Sequence, residues 1–242
     1  LSENDDFARL CEKNKITFIG PSADSMNLCG DKMECKAAML KANVPTVPGS
    51  PGLVKDAEDA AKVANDIGYP VMLKSVYGGG GRGIRIVTND KELHEGFETV
   101  TSESIAAVGK SAIIVEKFLE KTRHIEYQMC RDKHGNTVHL FERECSIQRR
   151  NQKLIEQTPS PVVDEAKREE IGELVVKAAK AVDYTNLGTA EFLRADSGEF
   201  YFIEINARLQ VEHPISEMVS GLDFVKLQLD IANGETLPFK QS

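Results

Sequence analysis

Residues 188–213 read GTAEFLRADSGEFYFIEINARLQVEH, and the architecture turns on this stretch. Residues 188–195 and 199–206 alternate side chains with the period of two that marks a strand, and Asp196-Ser197-Gly198 between them is a hairpin turn signal. A hairpin centred near Ser197 sets Glu191 opposite Glu204. Like charges facing each other across a ladder destabilise it, and a divalent cation between them reverses that sign. Asn206 lies two residues beyond Glu204 and projects from the same face. Glu, Glu and Asn are hard oxygen ligands suited to Mg²⁺, with phosphate oxygens filling the remaining positions. The plainer alternative, one glutamate facing solvent, sits badly with the flanking Phe192, Tyr201, Ile203 and Ile205.

The chain continues as Asn206-Ala207-Arg208-Leu209-Gln210-Val211-Glu212-His213. Arg208 offers a planar fork that fits a small carboxylate or bicarbonate. Gln210 and the backbone N–H of Val211 complete an anion pocket, and Glu212 is placed for a general base. His213, just before Pro214, reads as structural. Further strands are expected at 125–131 and 137–145, joined by the turn His134-Gly135-Asn136, with a helix at 164–182 and a last helix from Ser216 to Asn233. After the second of these strands comes ERECSIQRRNQK, residues 142–153, where Arg149, Arg150 and Lys153 read equally as a solvated basic loop or as an anion-facing group.

Residues 53–118 read as helix, strand, Gly-rich loop, strand, helix, strand, a compact α+β unit. The loop is Gly78-Gly79-Gly80-Gly81-Arg82-Gly83, between strands Tyr69–Ser75 and Ile84–Thr88, with a further strand at Ile113–Glu116. Consecutive glycines let backbone N–H groups converge on a phosphate. A P-loop or a dinucleotide-binding turn leads into a helix; this loop leads into a strand, which is the layout of a lid that closes over a nucleotide. A floppy hairpin without ligand is the alternative, and Lys74 before the loop and Arg82 within it argue against it. Residues 1–29 read as a helix, a short strand Ile16–Ile19 and a Gly20-Pro21 turn. Asp31 is the expected N-cap of a helix running to about Asn43. The stiff run Pro45 to Gly52 marks a boundary, giving segments 1–45, 46–118 and 119–242.

The 242 residues carry a net charge of −8, which argues against a nucleic-acid surface. No apolar run approaches the roughly 20 residues that span a bilayer, and no signal-peptide pattern opens the chain. Five cysteines without CxxC spacing read as reduced thiols and not as disulfides or a zinc site. A start at Leu1 reads as a fragment boundary.

Together KSVYGGGGRGIR (74–85), ECSIQRRNQK (144–153), GTAEFL (188–193) and YFIEINARLQVEHP (201–214) resemble the biotin carboxylase family, in the family's own order. The glycine-rich lid alone marks only ATP-grasp enzymes; QRRNQK with NARLQVEH is far more specific. The resemblance covers essentially the whole chain. It implies an α+β ATP-grasp fold, with a small lid domain over a larger domain built on a mainly antiparallel sheet. It implies an ATP-dependent ligase that uses ATP, Mg²⁺ or Mn²⁺, and carrier-linked biotin. Lys32 and Lys74 look like the lysines that contact ATP phosphates, with Gly79, Gly80, Gly81 and Gly83 in the closing loop. Glu116, Lys117 and Leu119 resemble the hinge that reads the adenine edge, while Ile84 and Leu193 would pack on the ring faces. His124 and Gln148 look like ribose contacts. Glu191, Glu204 and Asn206 would hold metal; Arg208, Gln210 and Val211 would bind bicarbonate; Glu212 would deprotonate it; Lys153 would face carboxyphosphate.

Asn151 stands where the family usually has His, which leaves a hydrogen bond to the nucleotide but no charge. Most of the family's N-terminal domain and a later arginine at the biotin site lie outside the sequence, so weak nucleotide binding and little biotin turnover are expected of this chain alone. The resemblance further implies a biotin carboxyl carrier and a carboxyltransferase as partners, a homodimer, and a cytoplasmic or mitochondrial-matrix setting, with no nucleic acid or membrane. Competing readings are another ATP-grasp ligase, such as a carbamoyl phosphate synthetase half, and a non-catalytic assembly module.

Overall fold

The computed structural model describes residues 1–76, 83–150 and 152–241, apart from the side chains of 107 and 108. The elements in chain order are α1 (Asp5–Lys13), α2 (Ala23–Gly30), α3 (Lys32–Lys41), α4 (Ala57–Ile67), β1 (Val71–Ser75), β2 (Ile84–Val87), α5 (Asp90–Val108), β3 (Ile113–Lys117), β4 (Arg123–Arg131), β5 (Thr137–Arg149), β6 (Gln152–Gln157), α6 (Glu165–Ala181), β7 (Asn186–Arg194), β8 (Phe200–Asn206), α7 (His213–Ser220) and α8 (Phe224–Ala232). Asn4, Ser22, Asp31, Asp56, Asn89, Asp164 and Asp223 each cap a helix by accepting a first-turn backbone N–H. The exception is α7. Its N-cap, Glu212, makes no capping bond, and its carboxylate is engaged elsewhere.

The chain divides into two compact units. The smaller, Val47–Glu120, holds an antiparallel sheet in the order β2-β1-β3. Val71, Leu73, Val87, Ile113 and Val115 of this sheet pack on Ala60 and Ala64 of α4 and Leu93 and Val100 of α5. This is the expected α+β arrangement, with the glycine-rich connection between β1 and β2.

The larger unit joins Leu1–Thr46 to Lys121–Ser242 around an antiparallel sheet in the order β6-β5-β4-β7-β8. Alternation along β4 sorts its side chains. Ile125, Tyr127 and Met129 join an apolar core with Phe192, Phe202, α6 and α2–α3, while Glu126 and Gln128 face the opposite, polar side. Segments 1–45 and 119–242, separate in the sequence reading, lie together in this one unit, and the break to the smaller unit falls between Thr46 and Val47. Thr46 bridges Phe202, and the Phe202 N–H donates to the Pro45 carbonyl at 2.7 Å.

Three local expectations are corrected. Residues 16–19 form no strand; a strand needs a partner, and the Ile16 N–H instead donates to Cys11 O at 2.9 Å. The last helix breaks at Gly221, whose φ of 70° ends α7 before α8 begins. Residues 152–157 form β6, whose mostly exposed side chains hide it from periodicity.

Gly172 lets α6 lie directly on β5. A Cβ there would sit less than 3.0 Å from the His139 imidazole. Gly172→Ala gains about 1 kcal/mol of helix propensity against about 1–3 kcal/mol of overpacking. A net loss of stability is expected in urea unfolding, and a gain once His139→Ala opens the space.

Candidate active site

The ladder places Glu191 of β7 opposite both Glu126 of β4 and Glu204 of β8, with a bulge after Glu191. Three carboxylates on one rung demand compensation. It comes from Lys153 of β6, whose ammonium donates to Glu191 Oε1 at 2.9 Å, to Glu212 Oε1 at 2.7 Å and to Glu126 Oε2. Burial alone would lower the Lys153 pKa, but the Glu126 and Glu191 charges overrule it and hold the ammonium well above its ordinary value. Burial would raise Glu191 and Glu212, yet the His124 ring and the Lys153 ammonium beside Glu191, and the Lys153 hydrogen bond to Glu212, hold both below the carboxylate range.

A pH dependence follows. Depressed carboxylates bind fewer protons folded than unfolded, so their contribution is complete above the unfolded pKa of about 4.3. It is lost as pH falls through the folded values. Urea unfolding is expected to show stability declining progressively below about pH 4.3, with Glu212→Gln flattening that decline.

Of the remaining metal candidates, Asn206 Nδ2 donates to Glu191 Oε1 at 2.9 Å, and Glu204 pairs with Lys32 of α3 at 3.6 Å. Glu204, Asn206 and Lys32 line one pocket of about 280 Å³ with Glu3. His124 Nε2 lies 3.0 Å from Glu191, and among the described residues His124, Glu126 and Glu191 bring donor atoms close enough to share one ion. Gln148 donates to Cys145 O at 2.8 Å and lies 3.3 Å from His124 Nδ1.

Sequence reasoning missed Glu126 and, behind it, Arg143 of β5. Arg143 is fully buried, as is Glu126, and its Nε donates to Glu126 Oε1 at 2.6 Å. The available signal was the run Glu142-Arg143-Glu144 inside a strand. A period of two cannot send three consecutive charges to water, and all three are buried. Glu142 is held by the Arg168 fork at 2.8 Å through both Nε and Nη2. Of the three cations grouped in sequence, Arg149 and Arg150 are exposed and only Lys153 reaches the carboxylates.

On the anion side, Arg208 Nε donates to Glu3 Oε2 at 2.8 Å and Nη2 reaches Asn206 Oδ1 at 3.4 Å. Glu3 was not anticipated; its other oxygen accepts the Ala207 N–H at 3.0 Å. Gln210 is buried, Glu212 is nearly so, and the Val211 side chain is 89% exposed. His213 Nδ1 lies 2.7 Å from Gln210 O, a structural contact. Leu193 is half-buried on β7.

In the smaller unit, Lys74 donates to Glu116 Oε2 at 2.5 Å, from paired strands. Lys117 donates to the carbonyls of Gly68 and Tyr69 at 2.9 Å each. Ile84 pairs with Lys74 across β1–β2, Leu119 is half-buried, and Gly83 takes a φ of 70° while its carbonyl accepts the Ser75 N–H. Gly79, Gly80, Gly81 and Asn151 lie outside the described residues.

Known proteins resemble this chain in sequence and in fold. Residues 31–240 match the family model for the ATP-binding domain of the carbamoyl-phosphate synthase L chain, and residues 1–26 that for the biotin carboxylase N-terminal domain. The 2-oxoglutarate carboxylase small subunit of Hydrogenobacter thermophilus is 52% identical over all of the chain and 51% of its own length. A biotin carboxylase of Nostoc sp. is 51% identical over 54% of its length. The crystal structure of the Hydrogenobacter biotin carboxylase domain dimer with MgADP, ADP and bicarbonate superposes with a TM-score of 0.91 at 52% identity, covering 100% of this chain and 53% of that one. The chain thus spans about half the length of the relatives it matches.

Proposed function

Because the chain belongs to the biotin carboxylases, ATP-grasp proteins sharing the ATP-binding domain of the carbamoyl-phosphate synthase L chain, we propose that it carries the nucleotide and bicarbonate chemistry of an ATP-dependent carboxylase that loads carrier-linked biotin. The observation that supports this most directly is the buried cage of Glu126, Glu191 and Glu212 around Lys153, bordered by Gln210 and Arg208.

Glu191, Glu204 and Asn206 offer oxygen donors from adjacent strands of the kind a hard divalent cation takes, Asn206 on turning its amide oxygen from Arg208 toward Glu191. Bound there, Mg²⁺ or Mn²⁺ would neutralise phosphate charge. Lys32 and Lys74 would hold phosphates, with Gly79, Gly80, Gly81 and Gly83 supplying backbone donors. Glu116, Lys117 and Leu119 would read the adenine edge. Ile84 and Leu193 would contact its faces, and His124, Gln148 and Asn151 the sugar and its oxygens.

Arg208, Gln210 and the Val211 N–H would orient bicarbonate. Glu212, held ionised by Lys153, would take its proton. A bicarbonate oxygen then bonds to the γ-phosphorus as the bond to ADP breaks, giving carboxyphosphate. Its C–O cleavage yields CO₂ and phosphate, phosphate takes the N1 proton of biotin, and N1 attacks CO₂. Lys153 would stabilise the carboxyphosphate charge by position alone. A carrier domain, a carboxyltransferase and a second copy are the proposed partners. All five cysteines are buried free thiols, which supports a reducing setting, the cytoplasm or mitochondrial matrix. No helix among the described residues is long and apolar enough to cross a membrane.

The test supplies ¹⁸O-bicarbonate, Mg²⁺-ATP and biotin to the protein and follows label into inorganic phosphate. Transfer that needs Mg²⁺ and disappears in Glu204→Ala is expected. ATP cleavage without label transfer would remove carboxyphosphate from the reading.

A further inference from the structure

Gln210 must present its amide NH₂, not its carbonyl, to any bound anion, and a Gln side chain by itself has no preference between the two ends. What fixes the choice lies behind it. A guanidinium carries five N–H hydrogens, and Arg143 has an acceptor for each. Nε donates to Glu126 Oε1 at 2.6 Å, Nη1 to Gln128 Oε1 at 2.8 Å and Ser216 Oγ at 3.0 Å, and Nη2 to Thr189 Oγ1 and Gln210 Oε1 at 3.1 Å each. The acceptors come from β4, β7, α7 and the connection after β8. Arg143 and Glu126 are both at 0% exposure, so bulk solvent does not reach the pair.

With its oxygen taken by Arg143, the Gln210 amide has only hydrogens left for the other side. One of them points at Glu191 Oε1, 3.3 Å away. The same guanidinium grips Glu126, which in turn accepts from Lys153. We propose that Arg143 is a positioning residue that holds the Gln210 amide in its donor orientation toward bicarbonate and ties it to the Lys153 cage through Glu126. This rests on the carboxylase reading and adds to it the group that makes Gln210 selective for an acceptor-rich anion. Arg143 touches no substrate. Lysine in its place keeps the charge but has three hydrogens on one nitrogen, and cannot span five acceptors.

The experiment measures bicarbonate-dependent ADP formation for the unsubstituted protein, Arg143→Lys, Gln210→Ala and the double variant. Arg143→Lys is expected to raise the bicarbonate KM about tenfold or more, from loss of a charge-assisted bond, with the ATP KM within about twofold of normal. In the Gln210→Ala background, Arg143→Lys should have no further effect on the bicarbonate KM. A purely structural arginine would shift both KM values and act additively. An unchanged bicarbonate KM in folded Arg143→Lys, or additivity in the double variant, overturns the proposal. If Arg143→Lys does not fold, Thr189→Val, which frees one Nη2 hydrogen, should raise the bicarbonate KM by about threefold, and only when Gln210 is present; no such rise overturns it equally. If the unsubstituted protein shows no bicarbonate dependence, the carboxylase reading itself fails and takes this one with it. That result is distinct from an active protein indifferent to Arg143.

Discussion

Lys153→Met is expected to destabilise the protein by about 3–5 kcal/mol at neutral pH, because it strips the shared cation from buried carboxylates. Methionine keeps an unbranched apolar stem one atom shorter, so packing changes little. Arg143 remains on Glu126, but Glu191 and Glu212 lose their ammonium. Their folded pKa values then rise. A carboxyl whose folded pKa is raised weakens the fold above that pKa and is relieved as pH falls through it. The gap between variant and native protein should therefore narrow toward pH 5 in chemical denaturation. Millimolar Mg²⁺ should stabilise the variant more than the native protein, since the vacated carboxylates become ligands. ADP formation should fall about 100- to 1,000-fold, the scale of removing one preorganised charge donor. Unchanged stability across pH 5–8 would mean that the cage is balanced by something other than Lys153.

Arg168→Ala is expected to cost about the same, roughly 3–5 kcal/mol, for a different group. It leaves Glu142, a fully buried carboxylate, with the Ser160 N–H at 3.0 Å and without its two-pronged guanidinium. Arg168→Lys should recover only part of this, since an ammonium cannot reproduce the parallel pair of bonds. The decisive comparison removes both partners. Glu142→Leu with Arg168→Met should be more stable than Arg168→Ala alone, because no buried charge is stranded. If the double variant is the less stable, the pair contributes net attraction beyond its desolvation.

The parts legible in the sequence were those fixed by local geometry. The Asp196-Ser197-Gly198 turn announces the hairpin, but its register alone counts Glu191 opposite Ile203, and it is the bulge between Glu191 and Phe192 that brings Glu204 opposite. Asp31 announces its helix through capping chemistry. What stayed hidden depends on contacts distant in sequence. Register alone could not show that Glu204 turns to Lys32 on α3 while Glu191 turns to Lys153 on β6. Arg143 and Glu126 look, by residue type, like surface charges, and only their mutual compensation lets them be buried. Glu3 reaches Arg208 across 205 residues, a separation no local pattern records.

The larger unit is written in two instalments, Leu1–Thr46 and Lys121–Ser242, around an uninterrupted smaller one. On a ribosome this sets an order of events. The sheet of Val47–Glu120 has all its strands once residue 117 has emerged. The α2 and α3 residues Met26, Cys29, Cys35 and Met39 must wait for β7 and β8 before their apolar faces are covered. Nascent chains released before about residue 206 should therefore carry a finished smaller unit beside an unsatisfied, chaperone-binding leader. Synthesis of β7 and β8, not of the first 46 residues, would then decide whether the larger unit escapes aggregation.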